Sequence, residues 1–352
     1  FGAIILLLGI GQARADLLQG VNLDNPQWQS AGDQDNELAH LKESYVHTIR
    51  IPLVAPYAGP ISLARRAAEH GLSIVLVITC ARPDARRAGI ALRPGLGQTW
   101  AMQPLSGVDP GRFTAELKAA IDQLAAARVN IAAFELGNEI NWTPFNGDFP
   151  LPGAGRVMGT AELEQSPEGR RIARGYDNYL ELLAGLKRVR DGSGFYRHTP
   201  IISAGLADIG EAWTAAKKMD AVTIGATLDY LRQHGLDALV DGYGIHIYPP
   251  GQGSDDARFK EIRDALTRCG PDARGKPCWL TEWGYPTDPK ACDDTGDRPR
   301  VVASTMSFLK RLASGGVLRA ALYYEWDKAG DQYAIFRCGH LTKAGHALLG
   351  PK

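Results

Sequence analysis

The sequence predicts a single-domain (β/α)8 TIM barrel, and three observations carry the prediction. Short apolar runs alternate with amphipathic helical segments along the chain, the pattern of a parallel sheet covered by helices. The runs are almost continuous in apolar residues, as strands buried on both faces must be. Eight of them can be counted, and 352 residues suit one barrel with long loops.

The eight expected strands are 17–23, 46–52, 73–79, 131–137, 200–204, 242–248, 278–283 and 319–326. Helical periodicity lies between them at 36–44, 62–70, 112–128, 167–190, 255–268 and 299–315. The stretch 210–234 reads as two short helices, and 342–348 as a last helix across the barrel bottom. An open doubly wound sheet is the alternative, but it calls for a Gly-rich first turn. The only Gly-rich stretch, Gly153-Ala154-Gly155-Arg156-Val157-Met158-Gly159, lacks the G-x-G-x-x-G spacing and follows no strand. It reads as a surface loop. The longest irregular segments, 80–111 and 140–166, both follow strands. That is the end of the barrel where loops build active sites.

Composition excludes some partners. Thirty-nine basic and 39 acidic side chains give zero formal charge, with no basic stripe, so no nucleic-acid partner is expected. Residues 3–10 form an apolar run too short to span a bilayer, followed by Ala13-Arg14-Ala15 and then Asp16. This reads as the end of a secretory signal, so residues 1–15 are set apart and 16–352 are assigned to the barrel. A buried first strand or helix is the alternative for that run. No other stretch is long enough to cross a membrane. A secreted or periplasmic monomer is therefore expected. Five cysteines fit an exported chain. Cys269–Cys278 and Cys292–Cys338 are the expected bridges, although spacing alone does not fix connectivity. Cys80, at the end of a very apolar strand, is left as a buried thiol. No Cys/His spacing of a zinc site occurs, and neither a cofactor nor a metal is expected.

Polar residues gather at the C-terminal ends of the expected strands: Arg50 on the second, Asn138 and Glu139 on the fourth, His246 and Tyr248 on the sixth, Glu282 and Trp283 on the seventh, Glu325, Trp326 and Asp327 on the eighth. Singly, each has an ordinary structural explanation: an ion pair, a satisfied core histidine, a packing tryptophan. A structural network explains two of them more easily than all. Strands four and seven lie roughly opposite in a ring of eight, so Glu139 and Glu282 face each other. Two facing carboxyls suit glycosidic bond cleavage, in which one protonates the leaving oxygen and the other attacks the anomeric carbon or activates water.

The motifs then become specific. Phe134-Glu135-Leu136-Gly137-Asn138-Glu139 resembles the Asn-Glu acid/base motif of the clan A glycoside hydrolases. Trp279-Leu280-Thr281-Glu282-Trp283-Gly284-Tyr285 resembles that clan's nucleophile strand, Arg50 in Ile49-Arg50-Ile51-Pro52 its strand-two arginine, His246 and Tyr248 its strand-six pair, and Trp326 its strand-eight tryptophan. The resemblance spans about residues 16–350 and does not separate galactanase-like, heparanase-like and cellulase-like families. It implies a retaining hydrolase of β-linked polysaccharides or oligosaccharides, with Glu139 as acid/base and Glu282 as nucleophile. It further implies that Asn138 binds the sugar 2-hydroxyl, Arg50 and Tyr248 hold Glu282 ionised, His246 orients a neighbour or a sugar hydroxyl, and Trp326 is the sugar platform. Trp142, Phe145, Trp100, Trp283 and Tyr285 are expected as further platforms, with Trp28 a candidate to join them. Glu135 is expected to be structural, and Glu325 to face away from the mouth and pair with a helix. A transglycosylase using the same site, a barrel that binds sugar without catalysis, and metal-dependent hydrolysis are the alternatives. The last is disfavoured because no ligand cluster recurs at the strand ends.

Overall fold

The computed structural model describes residues 16–350, apart from residues 83, 98 and 329. The expected signal segment, 1–15, lies outside the described residues. The eight barrel strands are β1 (Leu18–Asn22), β2 (Thr48–Leu53), β3 (Ser73–Ile78), β4 (Ile131–Leu136), β5 (Ile201–Ile202 with Leu206–Ala207), β6 (Tyr243–Ile247), β7 (Cys278–Trp283) and β8 (Leu318–Tyr323). All pair in parallel, and β1 closes against β8. β5 is the one broken strand: its first half pairs with β4 and its second with β6. The break at Ser203-Ala204-Gly205 joins the two halves of the ring.

The principal helices are α1 (Ala31–Glu43), α2 (Ala58–Glu69), α3 (Pro110–Ala126), α4 (Pro167–Gly192), α5 (Ile224–Gln233), α6 (Asp255–Ala265), α7 (Arg298–Ser314) and α8 (Lys343–Leu349). Their starts are written locally. Ser30, Asp109, Ser166, Thr223, Ser254 and Thr342 each accept a backbone N–H in the first turn, and Pro110 and Pro167 occupy first helical positions. The segment 210–234 does hold two helices, Glu211–Lys217 and α5. Among the described residues no helix is long and apolar enough to cross a membrane.

The strands bury their outward side chains under the helices, giving one continuous apolar core. Inside the barrel a smaller apolar layer of Val75, Ala133, Ile202, Trp279, Ala320 and Leu322 fills the floor. The mouth therefore has a dry bottom, and what lies above it is polar. Both expected disulfides are present, Cys269–Cys278 with Cα atoms 5.4 Å apart and Cys292–Cys338 with 5.5 Å. Cys80 is a buried free thiol, pushed by burial up to about 12.

Candidate active site

The C-terminal ends of the strands open into a cavity of 1180 Å³. Its polar floor is built around Arg50. Parallel register aligns Arg50 with Asn22 on β1, and Glu282 with His246 on β6. The Arg50 guanidinium has five N–H donors, and all five are used. Nε and Nη2 donate to Glu135 at 2.7 and 3.1 Å, Nη1 to Glu282 Oε1 at 2.6 Å and to Asn22 Oδ1 at 2.9 Å, and Nη2 also to Asn138 Oδ1 at 2.8 Å. One planar cation thus fixes two carboxylates from opposite strands.

Glu282 lies on a strand with a register shift. Leu280 pairs with Ile245 but Glu282 with His246, so β7 holds one extra residue there. In a regular strand Thr281 and Glu282 would face opposite sides. The bulge turns both into the barrel. Thr281 Oγ1 donates to Glu135 Oε1 at 3.0 Å and meets His246 Nε2 at 3.1 Å, while Glu282 Oε2 accepts from Tyr248 Oη at 2.6 Å. Burial pushes the Glu282 carboxyl up, but His246, Arg50 and the hydrogen bonds from Tyr248 and Arg50 outweigh it and hold it below the usual range. Burial and the Glu282 charge push the Tyr248 phenol well above its ordinary value, so it stays a donor.

Glu139 enters from the other side. Its φ of +47° lies in the left-handed region, which costs a non-glycine residue roughly 1–3 kcal/mol and recurs at functional sites. Its N–H is held by Gly205 O at 2.8 Å. The turn aims the side chain into the cavity instead of along the strand. Glu139 Oε1 lies 2.9 Å from His246 Nδ1, and Oε2 accepts from Trp142 Nε1 at 2.8 Å. His246 Nδ1 is also 3.4 Å from Glu282 Oε2. One carboxylate oxygen of Glu139 and one of Glu282 lie within 4.8 Å of each other.

The donors fix much of the proton arrangement. Thr281 spends its single O–H on Glu135, so it accepts Nε2–H from His246. Nδ1 then shares one further proton with Glu139 Oε1. A Cβ on Gly205 would sit 2.0 Å from His246 Nε2, so the break in β5 is also what lets the ring stand there.

Several expectations are corrected. Trp326 is fully buried and stacked on Phe336 at 4.8 Å, outside the cavity lining. β8 ends at Tyr323, so the alternation that would have turned residue 326 inward is lost, and Tyr324 lines the mouth instead. Trp283 is also buried: the bulge turns Glu282 in and Trp283 out, against Tyr323 at 5.0 Å. Tyr285 is buried and bonded to Thr305 at 2.8 Å. Trp28 is exposed in a short helix away from the cavity lining. Among the described residues Glu325 pairs with no helix. Its carboxyl is buried without a hydrogen-bond partner among the described residues and is raised to about 9 by burial and by Asp331 and Asp24. Glu135 is structural in the expected sense, being wholly buried, yet it is the anchor of Arg50.

The expected lack of a ligand cluster also needs correction, because Glu139, His246 and Glu282 present ligand atoms within 4.8 Å. The Arg50 guanidinium 2.6 Å from Glu282 already supplies the positive charge there and repels a second cation. Asn22, Trp213, Tyr324 and Tyr333 are mouth residues that the strand pattern missed. Asn22 was legible as the polar end of the first strand. Trp213 sits on the short helix Glu211–Lys217, and Tyr324 and Tyr333 on loops, where no local signal marks a mouth residue.

No protein-family model matches the sequence, and no curated protein matches it. Solved structures do match in fold. A fungal β-1,4-galactanase superposes with a TM-score of 0.55 at 15% identity over 95% of this chain and 99% of its own. Gas2p of Saccharomyces cerevisiae, in complex with laminaritriose and laminaritetraose, gives 0.53 at 14% identity over 97% of this chain and 66% of its own. A family 30 subfamily 8 xylanase from Clostridium acetobutylicum gives 0.51 at 14% identity over 95% and 71%. At these identities the likeness carries the barrel fold.

Proposed function

We propose that the protein is a retaining glycoside hydrolase that cleaves β-linked glycans by double displacement. One observation carries the reading: an oxygen of Glu139 and an oxygen of Glu282 lie within 4.8 Å across the cavity. Carboxyl groups about 5–5.5 Å apart suit retention, whereas inversion needs about 6.5–9.5 Å to admit a water.

Glu282, ionised and steadied by Arg50 and Tyr248, attacks the anomeric carbon. The bond from that carbon to the leaving oxygen breaks as Glu139 delivers its proton to the oxygen. Water then attacks the glycosyl-enzyme and gives a proton to Glu139, and Glu282 departs as carboxylate. Asn138 accepts from Arg50 through Oδ1, which leaves its Nδ2 to donate to a sugar hydroxyl. His246 orients Glu139 through the Nδ1 contact. The cavity exceeds the usual small-molecule range of about 300–1000 Å³ and suits an oligosaccharide. The two disulfides fit an exported protein.

The test is a screen of β-galactans, β-glucans, xylans, mannans and bacterial exopolysaccharides, with the first-formed anomer followed by NMR. Retention and a loss of at least about 10³-fold in Glu282→Gln are expected, given that a nucleophile is removed. Full activity of Glu282→Gln, or an initially inverted product, refutes the assignment.

A further inference from the structure

The cavity has two unlike sides. Loops after β1, β6 and β8 give a side of Asp24, Tyr248, Tyr324, Asp331 and Tyr333, next to Glu282. Loops after β3, β4 and β5 give a side of Trp100, Trp142, Phe145 and Trp213, next to Glu139. On this second side the rings form a chain: Trp100 to Phe145 at 5.5 Å, Phe145 to Trp142 at 5.9 Å, Trp142 to Trp213 at 5.0 Å. Trp100 and Trp213 remain 51% and 41% exposed, and exposed apolar surface gathered in a groove marks a ligand site.

The chain is held rigid by polar ties between the three loops. Arg93, from the β3 loop, donates to the carbonyls of Thr143 at 2.7 Å and Phe149 at 3.2 Å on the β4 loop. Asp220, beyond β5, accepts the N–H groups of Ala154, Gly155 and Arg156 from that same β4 loop at 3.0, 2.8 and 3.0 Å. A wall fixed by buried charge-assisted bonds needs little ordering when a ligand arrives.

Resting on the hydrolase reading above, we propose that Trp100, Trp142, Phe145 and Trp213 form the site for the sugar ring on the leaving-group side of the scissile bond, and that Trp142 couples this site to Glu139. The polarity follows from the chemistry. The acid must touch the leaving oxygen, so the ring carrying that oxygen lies beside Glu139, and the ring bonded to the nucleophile lies beside Glu282. A β-linked pyranose presents apolar C–H faces, which suit aromatic walls. Trp142 belongs to both machines. One face continues the wall, while its indole N–H holds Glu139 Oε2 at 2.8 Å. It is a positioning residue: it aims the acid at the oxygen of the ring it supports. A site of this kind makes turnover depend on a sugar ring as the leaving group.

The test separates the two halves of the substrate. Probes are the tetraoses of β-1,4-galactose, β-1,3-glucose and β-1,4-xylose, and the β-fluorides of the corresponding disaccharides. Fluoride leaves with little proton donation and puts no ring on the wall. In a Trp100→Ala/Trp213→Ala double variant, whose side chains are half exposed, kcat/KM on the cleaved tetraose falls at least about tenfold through KM, of the order that one aromatic–ligand stack is worth. Turnover of the matching fluoride stays at the wild-type level. Trp142→Phe keeps the ring and loses the N–H. Its kcat/KM on the tetraose falls by roughly tenfold or more, as for a lost hydrogen bond to a charged group, and falls much less on the fluoride, whose kcat/KM ends at glycosyl-enzyme formation and needs little proton donation. Equal losses on both substrates, or none on either, overturn the proposal. Full tetraose turnover by Glu139→Gln and Glu282→Gln instead refutes the hydrolase reading itself, whatever the wall variants do. A wild-type protein inactive on all six probes counts against both.

Discussion

Arg50→Gln is the sharpest perturbation of the site. The wild-type guanidinium spends all five N–H groups on Glu135, Glu282, Asn22 and Asn138. Glutamine keeps two donors and loses the charge, leaving two buried carboxylates facing one another across the floor. A cation within hydrogen-bond reach lowers a carboxyl pKa by about 1–3 units, equivalent to roughly 1.4–4 kcal/mol. Glu282, held below its ordinary value in the wild type, rises by that amount. On the proposed mechanism it must be ionised to attack, so the acid limb of the kcat/KM profile, which reports the free enzyme, moves to higher pH by about one to three units. Stability falls as well, by about 3–5 kcal/mol, because one partner of a buried ion network is gone. The pH dependence has a definite sign. A depressed carboxyl stabilises the fold above its unfolded pKa and loses that contribution as pH falls through the folded one. The stability gap between wild type and variant is therefore widest near neutrality and narrows in acid. Rates from pH 3 to 8, with urea unfolding at both ends, check both effects. An unmoved acid limb in a variant that still folds refutes the role of Arg50 in keeping Glu282 ionised.

Other outcomes follow from the same contacts. Tyr248→Phe removes the 2.6 Å bond to Glu282 Oε2 and moves the acid limb in the same direction by less than Arg50→Gln does; a shift the other way contradicts the geometry. Glu325 is raised from 4.5 to about 9, so at pH 7 its retained proton costs about 3 kcal/mol, taking 1.36 kcal/mol per unit over the rise from 4.5 to 7. A raised carboxyl loses its stabilising contribution as pH climbs towards 9, so Glu325→Gln gains on wild type steadily from pH 5 to 9; a constant gap in urea midpoint refutes the burial argument. Cys80 is buried and raised to about 12, so a thiol reagent titrates no cysteine in the native protein and one after denaturation without reductant.

The barrel was legible because its cause is local. Parallel strands buried on both faces must be apolar throughout, and the helices carry their own caps, so β3, β4 and β7 fall within a residue of expectation. The carboxyls were legible because strand ends are where apolar pattern gives way to charge. The tryptophans were not. Assigning Trp326 and Trp283 to the mouth assumed unbroken alternation, and both errors arise where a strand ends early or carries a bulge. Trp213 sits on a helix that looks like any other surface helix, and the ties between the segment beyond β5 and the β4 loop, Asp220 among them, bring its side of the mouth against Trp142.

Glu139 and Glu282 stand 143 positions apart, and sequence alone determined that each ends an apolar strand on the same rim of one barrel. That much follows from burial, which is written residue by residue. Tertiary structure decided that their oxygens approach within 4.8 Å, that one arginine spans Glu135 and Glu282, and that the Trp142 indole holds Glu139. Those are distances of a few ångströms between strands and loops far apart in the chain. They are set by register, one bulge and one left-handed residue, none of which leaves a composition or a period to read.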